Sequence, residues 1–280
     1  MSRPPHMPVD RVGLIAGSGR FPLIFAQNAR DSGVRVIVVA HHGETAEEIE
    51  RFAHEVTWVR VGQLGRIIRV FRKAEVRHAV MAGGIRKVRM FSDLRPDPKG
   101  LALLARMKRR DDDHLLRGVA GELESEGIHV LESTLFLERI IPSEPGVLTR
   151  TEPGSEQWKD IRLGVPMVKA LGRMGIGQTL VLKQGVVLAV EAIEGTDAAI
   201  RRGGNLAGGS VVVVKMSKPQ QDLRFDVPAI GPGTIEVLSE VGGGVLAVEC
   251  RRSILLDKDE LLEAADGAGI AVVAVAPDAQ

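Results

Sequence analysis

Short apolar runs alternate with amphipathic stretches in the first half of the chain, as strands and helices do in a parallel α/β domain. Residues 12–16 and 34–40 are apolar runs typical of buried parallel strands, and residues 21–30 between them carry apolar side chains on one helical face. The same strand pattern returns at residues 78–82 and 128–131. The first half therefore predicts a Rossmann-like domain built on a parallel sheet.

A segment without apolar periodicity separates this half from the next. Residues 142–154 are rich in Pro, Gly, Ser, Thr and Glu, which is typical of a linker. A chain of 280 residues also exceeds the usual size of one domain. We therefore predict two domains, residues 1–141 and 155–280, joined by the linker 142–154.

The second half also mixes helical and strand patterns. Residues 158–171 predict an amphipathic helix that Pro166 either kinks or interrupts. Two apolar runs, 178–182 and 186–190, are separated by the turn 183–185 and predict a β-hairpin. Three further strands and one helix are predicted at residues 210–214, 245–249, 270–275 and 259–268. This half therefore predicts a second α/β domain, whose hairpin makes the sheet mixed.

Composition and charge exclude several classes of protein. The formal charge of +1 and the 3% of aromatic residues provide neither a basic surface nor stacking platforms, so nucleic acid is not an expected partner. Cys250 is the only cysteine, which excludes an internal disulfide and a cysteine-based zinc site. No apolar run approaches the roughly 18 residues of a membrane span, and the first ten residues lack the apolar centre of a signal peptide. We therefore expect a cytoplasmic protein.

A glycine-rich turn follows the first predicted strand. Gly17, Ser18 and Gly19 lead into the helix, where backbone N–H groups and the helix dipole favour a phosphate. Pro22 stands where a dinucleotide-binding fingerprint has its third glycine. The turn is therefore predicted to contact a phosphate, and an ordinary tight turn is the alternative.

Two further loop-to-helix junctions carry polar or glycine residues. Gln63 lies before a helical stripe and is predicted to contact a base or ribose, with a structural role at the helix start as the alternative. Gly83, Gly84, Arg86 and Lys87 follow a predicted strand. Because ligands of open α/β sheets bind at the carboxyl ends of strands, these four residues are predicted to bind substrate.

Acidic residues follow the second strand of the predicted hairpin. Glu191, Glu194 and Asp197 surround the hydroxyl of Thr196 within seven residues. This spacing is compatible with Mg²⁺ bound through carboxylates and water, with Glu194 and Asp197 as ligands and Thr196 contacting substrate. A helix cap made by Thr196 or Asp197 is the alternative.

A loop of mixed charge follows the predicted strand 210–214. Its cations can hold a diphosphate, and its acids can bind a divalent ion or take a proton from water. The cations are Lys215, Lys218 and Arg224, the acids are Asp222 and Asp226, and Gln221 lies between them as a further predicted substrate contact. A solvated loop with internal salt bridges is the alternative.

Taken in order, these motifs resemble one protein family over nearly the whole chain. It is the metal-dependent UDP-2,3-diacylglucosamine pyrophosphatase family of lipid A biosynthesis, which is unrelated to the calcineurin-like phosphoesterases. The motifs that carry the resemblance lie at residues 14–22, 62–65, 81–84, 94–97, 112–113, 191–197 and 218–226.

The resemblance implies a reaction and roles for the loop residues. The reaction is hydrolysis of UDP-2,3-diacylglucosamine to UMP and 2,3-diacylglucosamine 1-phosphate, with water attacking the β-phosphate and Mg²⁺ assisting. Asp226 or Asp222 is implied as the catalytic acid, with Arg224, Lys215 and Lys218 holding the phosphates. A glycolipid substrate also implies transient contact with the inner membrane surface, and assembly into a homo-oligomer stays open.

Two other functions are weighed against this one. A Rossmann-type oxidoreductase is disfavoured by the incomplete glycine fingerprint and by the mixed-charge loop of the second half. A nonenzymatic sensor of nucleotide sugars would use the same clefts but would need no cluster of carboxylates. Catalytic turnover separates the enzyme from the sensor.

Overall fold

The computed structural model describes residues 9–85, 94–107 and 112–277, except for the side chains of Asp112 and Asp113. The chain forms two compact units. The first unit comprises Met1–Phe136 with Leu223–Phe225, and the second comprises Leu137–Asp222 with Asp226–Gln280. Each unit has its own sheet, and the two units are described separately.

The first unit is a five-stranded parallel sheet with helices on both faces. Its strands are β1 (Arg11–Ala16), β2 (Arg35–His41), β3 (Glu55–Val59), β4 (His78–Ala82) and β5 (His129–Val130), in the order β3-β2-β1-β4-β5. Its helices are α1 (Phe21–Asp31), α2 (Leu64–Lys73), α3 (Pro98–Arg106) and α4 (Asp112–Ser125), with a 3₁₀ helix at Glu47–Arg51. Every strand pairing is parallel, so the Rossmann-like sheet is confirmed.

Burial on both faces explains why these strands read as continuous apolar runs. Along β1, Leu14 packs on the side of Phe25 from α1, whereas Ile15 packs on the side of Phe71 from α2. Successive side chains of a strand point to opposite faces, so an apolar residue is needed at every position. The first unit therefore has two cores, one on each face of its sheet.

The second unit has a six-stranded mixed sheet in the order β6-β13-β11-β9-β7-β8. Its strands are β6 (Gly146–Val147), β7 (Thr179–Lys183), β8 (Val186–Val190), β9 (Val212–Lys215), β11 (Val245–Glu249) and β13 (Ala271–Val275), and β10 (Ala229–Ile230) pairs separately with β12 (Ile254–Leu255). Its helices are α5 (Ser155–Arg173), α6 (Thr196–Ala207), α7 (Pro232–Glu240) and α8 (Lys258–Gly267), with a 3₁₀ helix at Glu138–Ile140. Strands β9, β11 and β13 are parallel and β7 is antiparallel, which confirms the predicted mixed sheet.

One face of this sheet packs against α5 and the other against α6, α7 and α8. Helix α5 runs from Ser155 to Arg173 without interruption, so the alternative of a break at Pro166 is wrong. Pro166 is exposed, as is Arg162 four residues earlier. The carbonyl that loses its helical partner at this proline can therefore face water.

Among the described residues, no helix is both long enough and apolar enough to cross a membrane.

The hairpin of β7 and β8 depends on its turn and on one buried carboxylate. Gln184 and Gly185 have φ values of +50° and +78°, the conformation of a type I′ turn. Asp160 of α5 accepts hydrogen bonds from the backbone N–H groups of Gln184 and Gly185, at 2.8 and 2.6 Å. Asp160 is 4% exposed, so these bonds lie in a largely dry environment. The carboxylate thus fixes the turn to the helix.

Replacing Asp160 with Ala should lower the free energy of unfolding by about 2 kcal/mol, because two charge-assisted hydrogen bonds are lost. Urea denaturation followed by circular dichroism measures the change. Lys159→Ala is the matched control, since Lys159 is exposed and contacts only its helix neighbour Glu156 among the ion pairs of the described residues. Equal stability of the two variants would contradict the role of Asp160.

A buried histidine ends β2 in the first unit. His41 Nδ1 donates a hydrogen bond to the carbonyl oxygen of Ala16 at 2.9 Å, and Thr45 Oγ1 donates to the same oxygen at 2.7 Å. Burial lowers the pKa of His41, against smaller opposing effects of the Ala16 hydrogen bond and the Glu44 carboxylate. The imidazole is therefore held neutral in the folded protein.

Stability should fall as the pH drops below about 6.5, because the unfolded chain then protonates His41 more readily than the folded chain does. Since the folded pKa is the lower one, the contribution is complete above 6.5 and is lost as the pH approaches the folded value. His41→Asn keeps an amide donor for Ala16 but does not titrate. Urea denaturation between about pH 5.5 and pH 8 should show a steeper loss for the wild type than for this variant. Parallel curves would refute the prediction.

Candidate active site

Two glycine loops of the first unit are packed backbone against backbone. They follow β1 and β4, which are neighbours in the sheet. The N–H of Gly17 donates to the carbonyl oxygen of Ala82 at 2.8 Å, and the N–H of Ser18 donates to that of Gly84 at 2.7 Å. A Cβ on Gly17 would lie 2.4 Å from the Gly84 oxygen, and one on Gly83, whose φ is +79°, would lie 2.4 Å from the Ser18 oxygen. Only glycine fits at these two positions.

These loops lie where the strand order reverses, between β1 and β4, which is where open parallel sheets bind ligands. The amides of Gly17 and Ser18 are used by the neighbouring loop. Gly19 has a φ of +88° and no atom within 4 Å of its Cβ position, so it borders open space at the start of α1. Phosphate binding by Gly17, Ser18, Gly19, Gly83 and Gly84 stays a prediction.

The other predicted contacts of the first unit have mixed outcomes. Gln63 is the N-cap residue of α2, and its Oε1 accepts a hydrogen bond from the Arg60 amide at 2.9 Å. This oxygen therefore has a structural role at the start of α2, which was the alternative interpretation of Gln63. A contact of Gln63 with a base or ribose stays a prediction. Arg86 and Lys87 lie outside the described residues.

In the second unit, three polar side chains form a row across the sheet, which we call the polar row: Glu191, Thr179 and Lys215. Thr179 of β7 pairs in register with Lys215 of β9, and the N–H of Glu191 donates to the Thr179 carbonyl at 2.9 Å. Cross-strand neighbours project from the same face of a sheet. The next pair on this face is Val181 and Val213, which are buried in the core beneath α6. The polar row therefore ends this apolar face.

The amine of Lys215 is held by groups from two other elements. Its Nζ donates to Thr196 Oγ1 at 3.1 Å and to the carbonyl oxygen of Ala229 at 2.9 Å. Thr196 Oγ1 in turn donates to Glu191 Oε1 at 2.9 Å. A continuous hydrogen-bonded chain thus joins the end of β8, the first turn of α6, the end of β9 and β10.

Opposing electrostatic effects act on this amine. Burial lowers the pKa of Lys215, whereas the carboxylates of Glu191, Asp197 and Asp226 raise it. One buried amine and three carboxylates thus lie close enough at one edge of the sheet to affect each other's charge. Such an arrangement in an α/β fold marks a candidate functional site.

Four buried side-chain atoms near this edge have no hydrogen-bond partner in the part of the chain that the structure describes. They are Glu191 Oε2, Thr179 Oγ1, Gln178 Oε1 and Gln221 Nε2. Gln221 uses its other amide atom, because Oε1 accepts from the Lys218 N–H at 2.8 Å. Buried polar groups of folded proteins are nearly always paired, so this concentration is typical of a ligand site.

The mixed-charge loop folds into two successive turns. The Gln221 N–H donates to the Lys218 carbonyl oxygen at 2.9 Å, and the Asp226 N–H donates to that of Asp222 at 3.2 Å. Asp222 and Asp226 therefore lie at the two ends of one turn. Their roles as catalytic acid and metal ligands stay predictions, as do the substrate contacts of Lys218 and Gln221.

Arg224 is placed differently from these two acids. It lies in Leu223–Phe225, which belongs to the first unit, whereas Asp222 and Asp226 belong to the second. Its guanidinium pairs with Glu124 at 3.1 Å and lies 4.8 Å from the centre of the Phe225 ring. The implied role of Arg224 in holding the phosphates during catalysis stays a prediction.

The predicted metal ligands are not gathered into one cluster. Among the described residues, no group of three or more His, Cys, Asp or Glu side chains is arranged to hold a metal ion. Glu194 pairs with Arg202 at 2.7 Å and accepts from the Ala192 N–H at 3.1 Å. Hydrogen bonds from its own backbone amide and from Arg202 lower the pKa of Glu194. Metal binding by Asp222, Asp226, Glu194 and Asp197 stays a prediction.

Sequence reasoning missed Thr179 and Glu249, and it did not select Glu191. Glu249 ends β11, is fully buried, and accepts from Lys169 Nζ at 2.8 Å and from the Ser217 N–H at 2.8 Å. It therefore anchors the start of the mixed-charge loop. An acid at or directly after the end of an apolar strand was the available signal for both glutamates, whereas Thr179 is an ordinary strand residue in the sequence.

Gly17→Ala should lower the free energy of unfolding by about 2–3 kcal/mol, because the added Cβ meets the rigid backbone of Gly84. Gly121→Ala is the matched control, since a Cβ at this position of α4 meets no atom within 4 Å and alanine favours helix. Thermal or urea denaturation measures both changes. A Gly17→Ala protein as stable as the control would contradict the close packing of the two loops.

Solved structures show only weak similarity to this chain. The biotin carboxylase domain of Hydrogenobacter thermophilus 2-oxoglutarate carboxylase has a TM-score of 0.28 and 15% identity, over 63% of this chain and 35% of that one. Rhizobium etli pyruvate carboxylase has a TM-score of 0.30 and 10% identity, over 67% of this chain and 15% of that one. The chain thus spans about a third or less of the length of these structures. Similarity at this level carries no functional meaning.

Comparison with families and sequences is decisive. The LpxI N-terminal domain family model matches residues 11–140, and the LpxI C-terminal domain family model matches residues 144–273. The chain is also similar to the UDP-2,3-diacylglucosamine pyrophosphatase LpxI of Caulobacter vibrioides, with 32% identity over 279 residues. This alignment covers 95% of this chain and 98% of that protein. The chain therefore belongs to the LpxI family.

Proposed function

We propose that this protein hydrolyses the pyrophosphate bond of UDP-2,3-diacylglucosamine, releasing UMP and 2,3-diacylglucosamine 1-phosphate for lipid A biosynthesis. The observation that carries the proposal is the 32% identity to a UDP-2,3-diacylglucosamine pyrophosphatase over 95% of the chain. The likeness extends through both halves of the sequence, including the motif 218–226. The protein is thus a hydrolase that acts on a phosphoric anhydride.

The second unit supplies groups suited to this reaction. Hydrolysis of a phosphoanhydride needs a group that takes a proton from the attacking water and cations that stabilise negative charge on the phosphates. Asp226 or Asp222 accepts the proton in this proposal. Lys215 orders the acids around it through its contacts with Thr196 and Ala229, and Lys218 stabilises phosphate charge.

Mg²⁺ fits some of the predicted donors better than others. Proteins usually hold Mg²⁺ through one or two carboxylates together with water and substrate phosphates, so a cluster of three acids is not required. Asp222 and Asp226, at the two ends of one turn, suit this role, and Asp197 lies in the first turn of α6. Glu194 suits it less, because Arg202 and a backbone amide occupy both of its oxygens. When bound, the ion would offset the negative charge of the diphosphate.

A substrate with two acyl chains resides in a membrane, so the proposal includes transient contact with the inner membrane surface from the cytoplasmic side. Exposed apolar side chains that can support such contact occur in the second unit. Met174 is 65% exposed and Ile193 is 88% exposed. Side chains of this size at the surface are favourable in a lipid interface.

Purified protein incubated with UDP-2,3-diacylglucosamine and Mg²⁺ should release UMP, and a chelator should abolish the release until excess Mg²⁺ is added. Either Asp226→Asn or Asp222→Asn should lower kcat at least about 100-fold, because general-base catalysis contributes that much. Chromatography of UMP measures the rate. Asp259→Asn, an exposed acid of α8, is the control and should keep the wild-type rate.

Binding of the substrate without UMP release by folded wild-type protein would overturn the proposal and favour a nucleotide-sugar sensor. Full activity in both aspartate variants would remove the catalytic roles of Asp222 and Asp226. Unchanged activity in the chelator would remove Mg²⁺ from the reaction.

A further inference from the structure

Two members of the polar row carry hydrogen-bonding atoms that are buried and have no partner within the described chain. They are Glu191 Oε2 and Thr179 Oγ1, and Thr179 has no exposed surface. An unpaired buried polar group destabilises a fold. Two such groups on cross-strand neighbours therefore call for a ligand that pairs with them.

Local contacts restrict the carboxylate of Glu191. Glu191 Oε1 accepts a hydrogen bond from Thr196 Oγ1 at 2.9 Å, which limits the rotation of the carboxylate. The backbone of Glu191 lies against Gly177, where an added Cβ would be 1.9 Å from the Glu191 carbonyl oxygen. Thr196 is itself bonded to Lys215 at 3.1 Å. The free oxygen of Glu191 is therefore presented in a fixed position.

The chemistry of the unpaired atoms defines the missing partner. Glu191 Oε2 is an acceptor, and the hydroxyl of Thr179 can donate or accept. A carboxylate oxygen repels the oxygens of a phosphate, and an acyl chain satisfies no polar atom. A hydroxyl group fits, because it donates to one acceptor and accepts from a second hydroxyl. The twelve-residue helix α6 begins at Thr196, so its N–H groups add polarity around the same place.

We propose that the polar row is a binding subsite for a hydroxyl group, which donates to Glu191 Oε2 and accepts from Thr179 Oγ1. This inference rests on the proposed pyrophosphatase function and adds to it roles for Glu191 and Thr179. The hydroxyl belongs either to a sugar of the substrate or to a water molecule. If the hydroxyl belongs to the substrate, the affinity for substrate depends on Glu191. If it belongs to a water molecule, the rate of hydrolysis depends on Glu191.

Two variants test the subsite. Glu191→Gln can still accept from Thr196 but presents an N–H group where the free oxygen was. Thr179→Val removes a hydroxyl that has no partner within the described chain, and its free energy of unfolding should be equal to or higher than that of the wild type. If the Thr179 hydroxyl binds no ligand, the Thr179→Val variant should therefore lose neither stability nor activity.

Steady-state UMP release gives kcat and KM, and calorimetry with UDP-2,3-diacylglucosamine in a chelator gives affinity without turnover. A substrate hydroxyl predicts that KM and the calorimetric Kd rise about 10- to 100-fold in both variants, as expected for loss of a hydrogen bond to a charged group. A bound water predicts a similar fall in kcat with KM and Kd unchanged. Glu240→Gln on α7 is the matched control and should stay within about twofold of the wild type, as is usual for an exposed ion pair.

Unchanged kcat, KM and Kd in both folded variants would overturn the subsite. So would a change confined to the Mg²⁺ concentration needed for half-maximal activity, since Glu191 would then be a metal ligand. Absence of UMP release by the wild type would refute the proposed function separately. In that case the calorimetric Kd decides the subsite alone, and equal values for wild type and variants would refute it.

Discussion

The candidate site of the second unit depends on the hydrogen bonds and carboxylates that surround the buried amine of Lys215. Taking an ammonium group out of water costs several kcal/mol unless acids and acceptors surround it. Thr196, Ala229 and the nearby carboxylates provide that environment. Because Thr196 begins α6 and Ala229 begins β10, one side chain fixes two elements against the end of β9. The same contacts set the position of Glu191, so the charge balance and the shape of the site have one origin.

The elements of both sheets could be predicted because burial leaves a clear pattern. Strands covered on both faces read as continuous apolar runs, and the predicted strand 245–249 has the bounds of β11. The hairpin was predictable because two apolar runs flank a short turn that contains Gly185, and glycine adopts a positive φ without strain. The continuity of the helix through Pro166 was harder to predict. It depends on whether that turn of the helix faces water, and a single sequence does not show this.

The site was only partly predictable, because its pairings join residues that are distant in sequence. The segment 191–197 offers three acids, and the sequence alone does not tell which one is free. The structure shows that Glu194 pairs with Arg202 of the following helix, α6, whereas Glu191 Oε2 has no partner among the described residues. Thr179 and Lys215 are 36 positions apart and meet only because β7 and β9 pair antiparallel. That pairing follows from the whole sheet and not from either segment.

In both units the candidate functional groups lie at the carboxyl ends of strands, but the groups are of different kinds. In the first unit, glycines after β1 and β4 bring two backbones into contact, so the described residues of these two loops present mainly amides and carbonyls. In the second unit, β9 and β11 end in Lys215 and Glu249, and Glu191 directly follows β8, so side chains supply the polar groups. Backbone groups keep a fixed dipole and suit recognition of phosphate, whereas ionisable side chains can exchange protons. Asp222 and Asp226, the acids that we propose for proton transfer, accordingly belong to the second unit.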